Sequence, residues 1–224
     1  LAFYTPMMEP RGFTRLLQDE HGKPLADVLI TTQIMLSAEH RRSEFAELGI
    51  PVLQAMPYRR GAEEDWAQDP QGVRLMDVPF YLAQPEYAGV TDIQVAAATR
   101  KSDEQIVAIA AQAQAVVNKA VRLAKLQATA NADKRVALMF WNYPPGEKNL
   151  SASFLNVPRS LRRVLDGLQE AGYDTSTPGE EALVAQLQQL LAPAYRNDRL
   201  QPLLKANLAA LLPLKDYRAW LQQL

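Results

Sequence analysis

Two short apolar runs separated by a mixed polar stretch dominate the first quarter of the chain. ADVLITT, residues 26–32, and PVLQAM, residues 51–56, both have the character of buried strands. Between them, Ser37 can start a helix, and Gly49 stands where a helix C-terminus favours positive φ. Because strand, helix and strand follow one another so closely, the pattern predicts a parallel βαβ unit.

The middle of the chain predicts a third strand and a long helix. DIQVAAAT, residues 92–99, has strand character, and Ser102 begins the capping box SDEQ. Apolar side chains then keep helical spacing to about residue 127. We therefore expect one helix over residues 102–127, roughly 38 Å long at 1.5 Å per residue, that links two subdomains.

A second strand-and-helix unit is expected from residue 135 onward. RVALMFW, residues 135–141, is the clearest strand pattern, and a proline- and asparagine-rich loop follows it. The next helix pattern ends at Gly172, and T-P-G-E at 177–180 indicates the start of another helix. The remainder is rich in leucine and reads as helical.

Together these elements predict an α/β fold of Rossmann-like parallel βα units linked by a long helix, with a helical C-terminal part. We divide the chain into a Rossmann-like unit at 1–100, a connecting helix at 101–130, a second βα unit with the NYPP loop at 131–176, and a helical segment at 177–224. The chain opens on leucine and ends inside a helical pattern. We therefore expect a segment of a longer polypeptide.

Composition and charge exclude several classes of function. The chain has 24 basic and 25 acidic residues, so a nucleic acid or an anionic membrane is not an expected partner. There is no cysteine, and the two histidines, His21 and His40, belong to no cluster at metal-ligand spacing, so we predict no metal site. Without a signal peptide or a spanning apolar stretch, we expect a cytoplasmic protein.

The loop over residues 142–156 carries the candidate chemistry. In an open parallel sheet, ligands bind outside the carboxyl ends of the strands, and this loop follows a predicted strand. Asn142, Asn149 and Asn156 can donate and accept hydrogen bonds, and Lys148 adds a positive charge. Asn156 is also a plausible N-cap for the next helix. The alternative is that proline, glycine and asparagine are simply loop residues.

The same stretch carries a family resemblance. VALMFWNYPPGEKNLSASFLNVPRSLRRVLDGLQEAGYD resembles the CobN/magnesium-chelatase family, which comprises the large subunit of aerobic cobaltochelatase and the H-type subunit of magnesium chelatase. The matching features are the strand, N-Y-P-P-G, the lone Asn149, L-N-V-P-x-S-L and the helix ending in A-G-Y-D. LGIPVLQAMPYRRGAEEDW and the long helix extend the resemblance to roughly residues 26–192. Ser151 departs from it, because the family is expected to prefer glycine there.

The resemblance implies a parent enzyme that binds a tetrapyrrole and inserts a divalent metal into it, a ligase forming nitrogen–metal bonds. Two smaller ATPase-complex subunits are the implied partners, and the complex would use ATP, Mg and Co, with no cofactor in this segment. The N-Y-P-P form favours the cobalt branch, with hydrogenobyrinic acid a,c-diamide as substrate in cobalamin biosynthesis. The alternatives are a magnesium-chelatase H-type protein acting on protoporphyrin and a non-catalytic docking module.

On this resemblance, five residues are candidates for substrate binding: Asn142, Tyr143, Lys148, Asn149 and Asn156. Asn142 and Asn149 would bond amides or carboxylates, Lys148 would pair with a carboxylate, and Asn156 would hold the start of the helix. The His- and Glu-containing motif of the family is absent, since no histidine follows His40. We therefore expect no catalytic residue in this segment and no metal insertion by it alone.

Overall fold

The computed structural model describes Gly12, residues 14–140 and residues 142–222. The chain divides into two compact units, Leu1–Thr129 (unit 1) and Ala130–Leu224 (unit 2). The fold is mixed α/β, as predicted, and its parallel strands lie in unit 1. The predicted division into four parts stays a prediction. No helix among the described residues has both the length and the apolar character needed to cross a bilayer.

The described residues of unit 1 form a four-stranded sheet and four α-helices. Its strands are β1 (Leu29–Thr31), β2 (Val52–Tyr58), β3 (Asp92–Thr99) and β4 (Ile106–Ala108). Its α-helices are α1 (Ala38–Leu48), α2 (Glu63–Gln68), α3 (Gln84–Tyr87) and α4 (Ala110–Ala128), with a 3-10 turn at Thr14–Leu16 and a π-helical turn at Pro79–Ala83. The strand order is β1-β2-β3-β4.

The sheet confirms the predicted parallel unit and the predicted third strand. β1 pairs with β2 in parallel, with Leu29 opposite Val52, and β2 pairs with β3 in parallel, with Leu53 opposite Asp92. β4 adds an antiparallel edge, with Ala97 opposite Ala108. The carboxyl ends of β1, β2 and β3 therefore point to the same side of the sheet.

Helices cover both faces of this sheet. Alternate residues of a strand point to opposite faces. Val52 accordingly packs with Phe45 and Leu48 at the end of α1, whereas Leu53 packs with Val116 of α4. Helix α1 ends at Gly49, which has φ of 63° and donates its N–H to the Phe45 carbonyl, as the sequence predicts.

The helix predicted over residues 102–127 is wrong at its start, because α4 begins only at Ala110. Asp103 pairs with Arg100 and accepts a hydrogen bond from the Gln105 N–H, while Glu104 has φ of 57°. These contacts make a tight turn that sends the chain back along β3 as strand β4. The SDEQ stretch, braced by the Asp103 side chain, therefore forms a hairpin turn instead of capping a helix.

Where the structure describes it, unit 2 is mainly helical and has one short hairpin. Its strands are β5 (Ser151–Ala152) and β6 (Leu155–Asn156), which pair in antiparallel fashion. Its α-helices are α5 (Val157–Glu170), α6 (Glu180–Leu191), α7 (Leu200–Lys205) and α8 (Leu214–Leu221), with 3-10 turns at Asn131–Asp133, Ala192–Ala194 and Asn197–Arg199. Helices α5 and α6 confirm the two predicted helices that follow the loop.

The strand predicted over residues 135–141 is wrong where the structure describes it, since residues 134–140 form no regular element. Trp141, its last residue, lies outside the described residues. The apolar side chains of this run are largely exposed, with Met139 97% exposed. No described residue pairs with residues 135–140 in a sheet, and a strand needs a neighbour to bond its backbone. The second βα unit thus lacks its strand.

Candidate functional site

The loop over residues 142–156 folds back on itself. The Tyr143 N–H donates to the Ser151 carbonyl at 2.9 Å, and the Asn149 N–H donates to the Gly146 carbonyl at 3.0 Å. The hairpin of β5 and β6 completes the loop and leads directly into α5. The described residues before the loop, 135–140, form no strand, so the loop does not lie at a strand end and its own contacts define what it can bind.

Asn149 holds the two sides of the loop together. Its Nδ2 donates to the Pro144 carbonyl, and its Oδ1 accepts a hydrogen bond of 2.9 Å from the Ser151 hydroxyl. Both polar groups of the amide are therefore used within the loop. Ser151, which replaces the glycine expected from the family pattern, supplies one of these partners.

Asn142 and Asn156 also use their amides in hydrogen bonds to the backbone of the chain. Asn142 Nδ2 donates to the Gly146 carbonyl at 3.3 Å, while its Oδ1 is buried and receives no hydrogen bond from the described residues. Asn156 Oδ1 accepts a hydrogen bond of 3.1 Å from the Arg159 N–H and so caps α5, with Pro158 in the first turn. This confirms the predicted cap. All three asparagines thus contribute to the shape of the loop.

Tyr143 and Lys148 are exposed, as is the capping residue Asn156. Tyr143 is 54% exposed. The Lys148 ammonium has no partner among the described residues, and its side chain lines a groove of about 280 Å³ in unit 2. The groove, called here the lysine groove, is formed by the loop, the end of α6 and the start of α7: Glu147, Lys148, Gln188, Gln189, Ala192, Arg196, Arg199 and Pro202.

The charge of the lysine groove is positive. Three cations and one carboxylate line it, and that carboxylate, Glu147, pairs with Arg196. Arg199 Nε lies 3.5 Å from the exposed Asp198 carboxylate, so within the described part of the chain Lys148 is the unpaired cation of the groove. An unpaired ammonium beside two guanidinium groups fits a carboxylate-bearing ligand.

The sequence did not predict that Arg196 and Arg199 belong to this groove. Arg196 and Arg199 lie about fifty residues after Lys148, and no local motif connects them. The available signal was the basic pair in YRNDR, directly after the helix-ending Pro193. Among the described residues, no group of three or more histidine, aspartate or glutamate side chains is placed to hold a metal ion.

The chain resembles proteins of known name or structure. The H-type magnesium-chelatase subunit of Chlorobaculum parvum is 33% identical over 142 residues, which cover 63% of this chain and 11% of that protein. The CobN subunit of aerobic cobaltochelatase from Pseudomonas aeruginosa is 29% identical over 180 residues, which cover 76% of this chain and 14% of that protein. The catalytic subunit of cobaltochelatase from Mycobacterium tuberculosis matches with a TM-score of 0.62 and 26% identity.

The match to the mycobacterial structure covers 83% of this chain and 16% of that one, so the chain spans only a small part of each of these three proteins. The sequence model of the family described as CobN/Magnesium Chelatase matches residues 2–224. That match extends over almost the whole chain and agrees with the resemblance carried by the N-Y-P-P-G loop. The chain therefore belongs to the CobN/magnesium chelatase family.

Proposed function

We propose that this chain is part of the large, tetrapyrrole-binding subunit of an ATP-dependent cobaltochelatase, which inserts cobalt into hydrogenobyrinic acid a,c-diamide. The observation that carries the proposal is the family match over residues 2–224. The N-Y-P-P form of the loop and the similarity to a cobaltochelatase catalytic subunit support the cobalt branch. ATP and Mg would be used by the complex with two smaller subunits, and cobalt would be the substrate metal.

In this proposal the lysine groove contacts the edge of the substrate. A corrin-type substrate carries carboxylates and amides around its ring. Lys148 would pair with a carboxylate, and the Gln188 and Gln189 amides would exchange hydrogen bonds with substrate amides. The exposed ring of Tyr143 would contact apolar parts of the macrocycle. The chain thereby binds and orients the substrate, and no proton transfer is assigned to its residues.

Asn142, Asn149 and Asn156 have a different role in this proposal. Their amides are engaged inside the loop or at the start of α5, so they hold Lys148 in position without touching the substrate. The sequence analysis expected Asn142 and Asn149 to bond the substrate directly, and this proposal replaces that role. It keeps the role given to Asn156.

A magnesium-chelatase H-type function is the second candidate. The 33% identity to a magnesium-chelatase protein of that type favours it. Its substrate, protoporphyrin, carries carboxylates but no amides, so Lys148 would still have a partner while the two glutamine amides would lose theirs. Selectivity between the two ligands therefore separates the two branches.

A non-catalytic docking module is the third candidate. Large apolar side chains are exposed near the end of the described chain, which favours packing against other parts of a larger assembly: Leu208, Leu211, Leu212, Leu214 and Trp220. A docking module would bind neither tetrapyrrole.

The test is a titration of the chain with hydrogenobyrinic acid a,c-diamide and, separately, with protoporphyrin, followed by tryptophan fluorescence. Trp141 directly precedes the loop in sequence and provides a probe. We expect saturable quenching by hydrogenobyrinic acid a,c-diamide and weaker quenching by protoporphyrin. Saturation by protoporphyrin alone would support the magnesium branch, and quenching by neither ligand would contradict a tetrapyrrole site in this chain.

A further inference from the structure

A second basic pocket lies in unit 1, at the carboxyl end of a parallel strand. Arg59 and Arg60 directly follow β2, whose neighbours β1 and β3 run parallel to it. This edge of an open parallel sheet is where ligands of α/β proteins bind. The sequence predicted a site at a strand end and placed it at residues 142–156. In the structure, the residues that follow a parallel strand in this way are Arg59 and Arg60 of unit 1.

The pocket, called here the arginine pocket, has a volume of about 570 Å³. Among the residues that the structure describes, its charged lining residues are arginines, and the lining consists of Arg59, Arg60, Gln71, Arg74, Leu75 and Met76. The described lining holds three guanidinium groups and no carboxylate, so an anion entering the pocket meets positive charge first. The lining thus selects for negative charge.

Two of the arginines are held in place by carboxylates that lie behind the lining. Arg59 Nη1 lies 3.1 Å from Asp77 Oδ1, and Asp77 is buried. Arg60 Nη1 lies 3.2 Å from Asp69 Oδ2, and the same nitrogen donates to Gln71 Oε1 at 3.2 Å. Fixed guanidinium groups lose less conformational freedom when a ligand binds.

Arg74 differs from the other two arginines. Its guanidinium has no hydrogen-bond or ion-pair partner among the described residues, so its donors are available to a ligand. Next to it, Leu75 and Met76 are 77% and 75% exposed. Adjacent large apolar side chains beside an unpaired guanidinium match a molecule that is anionic at one end and apolar at the other.

We propose that the arginine pocket binds a small organic carboxylate that has an apolar body. The Arg74 fork donates to the carboxylate, Arg59 and Arg60 offer the N–H groups that their carboxylate partners leave free, and Leu75 with Met76 covers the apolar body. The proposal rests on unit 1 alone. It goes beyond the tetrapyrrole contacts proposed for unit 2 and does not depend on them.

The test follows backbone amide signals of the full chain by NMR during titration with 4-phenylbutyrate. The neutral 4-phenylbutanol reports the apolar contribution alone, and inorganic phosphate reports the charge alone. We expect saturable shifts at residues 59–60 and 74–76 with 4-phenylbutyrate, and at least about tenfold weaker binding of either control. Absence of saturable shifts at these residues, or phosphate binding as tight as that of 4-phenylbutyrate, would overturn the proposal.

Arg74→Ala is the informative substitution, because it leaves no buried carboxylate without its partner. It should weaken 4-phenylbutyrate binding about tenfold, whereas Arg122→Ala, at an exposed position of α4, should leave it unchanged. Leu75→Asn should weaken 4-phenylbutyrate binding without changing the response to phosphate. Equal affinity of Arg74→Ala and the unsubstituted chain would contradict the assignment. Since every readout lies in unit 1, failure here is distinct from failure of the tetrapyrrole titration.

Discussion

Strand β2 and residues 135–140 are both apolar runs, yet their environments differ completely. β2 bonds to β1 on one side and to β3 on the other, and helices cover both of its faces. Residues 135–140 have no strand partner among the described residues, and Met139 is almost fully exposed. An apolar run therefore becomes a strand only where neighbouring chain can bond its backbone and cover its side chains.

The largest expected effect tests this contrast directly. Leu53, 2% exposed, packs between β2 and α4, so Leu53→Ala should lower the free energy of unfolding by about 2–5 kcal/mol. Met139→Ala is the matched control in the exposed run and should change it by less than about 0.5 kcal/mol. Urea unfolding of both variants measures the difference. A cost for Met139→Ala as large as that for Leu53→Ala would show that residues 135–140 are packed.

A smaller effect is expected in the loop of unit 2. Asn149→Ala removes hydrogen bonds to the Pro144 carbonyl and the Ser151 hydroxyl. This should lower the free energy of local opening of the loop by about 1–3 kcal/mol. Faster hydrogen exchange at the Tyr143 amide, whose N–H bonds to the Ser151 carbonyl, would report the loss. Lys148→Ala is the control, since the Lys148 ammonium has no partner among the described residues. Unchanged exchange in Asn149→Ala would refute a bracing role for Asn149.

Two glycines, one in each unit, provide the next test. Gly49 has φ of 63°, so Gly49→Ala should destabilise the chain by about 1 kcal/mol. Gly167 lies inside α5, where an added Cβ meets no atom within 4 Å, and Gly167→Ala should stabilise by up to about 1 kcal/mol. Thermal melts should shift in opposite directions. Shifts of the same sign would contradict the conformations described for these two residues.

The smallest expected effect is on the free energy of unfolding at acid pH, and it involves Asp69, next to the arginine pocket. Hydrogen bonds from the Gln71 N–H and the Tyr58 hydroxyl, with the charge of Arg60, hold the pKa of Asp69 below its ordinary value. The stability that Asp69 adds is therefore present above pH of about 3.9 and is lost as the pH falls below it.

In Asp69→Asn, the free energy of unfolding should accordingly decrease less between about pH 5 and pH 3 than it does in the unsubstituted chain. The measurement is the urea midpoint across that range for the unsubstituted chain and the variant. Identical pH profiles would show that Asp69 has no such role. Asp65 and Asp103, whose pKa values are also lowered, provide parallel substitutions in the same unit.

Local sequence patterns predicted the correct element wherever tertiary packing favoured the same element. The parallel pair β1–β2, the third strand, Gly49 and the Asn156 cap all follow from periodicity or capping chemistry. The helix start predicted at SDEQ was wrong because the Asp103 carboxylate can stabilise a tight turn as well as a helix start, and the pairing of β4 with β3 favours the turn. That choice depends on residues distant in sequence.

The candidate sites show the same limit. The sequence indicated Lys148 as a candidate. It did not indicate Arg196 and Arg199, which follow the end of α6 and line the same groove. It also passed over Arg59 and Arg60 in PYRRG, although a predicted strand ended just before them. Which polar side chains are free and which are used internally depends on hydrogen bonds that only the folded loop reveals.

The most direct measurement is the dissociation constant for hydrogenobyrinic acid a,c-diamide, compared between the unsubstituted chain, Lys148→Ala and Lys215→Ala. Both lysines are exposed in unit 2, but only Lys148 lines the groove. Lys148→Ala should keep the melting temperature and weaken binding about threefold to tenfold, while Lys215→Ala should change neither. Unaltered affinity in Lys148→Ala would contradict the assignment of the lysine groove to the substrate.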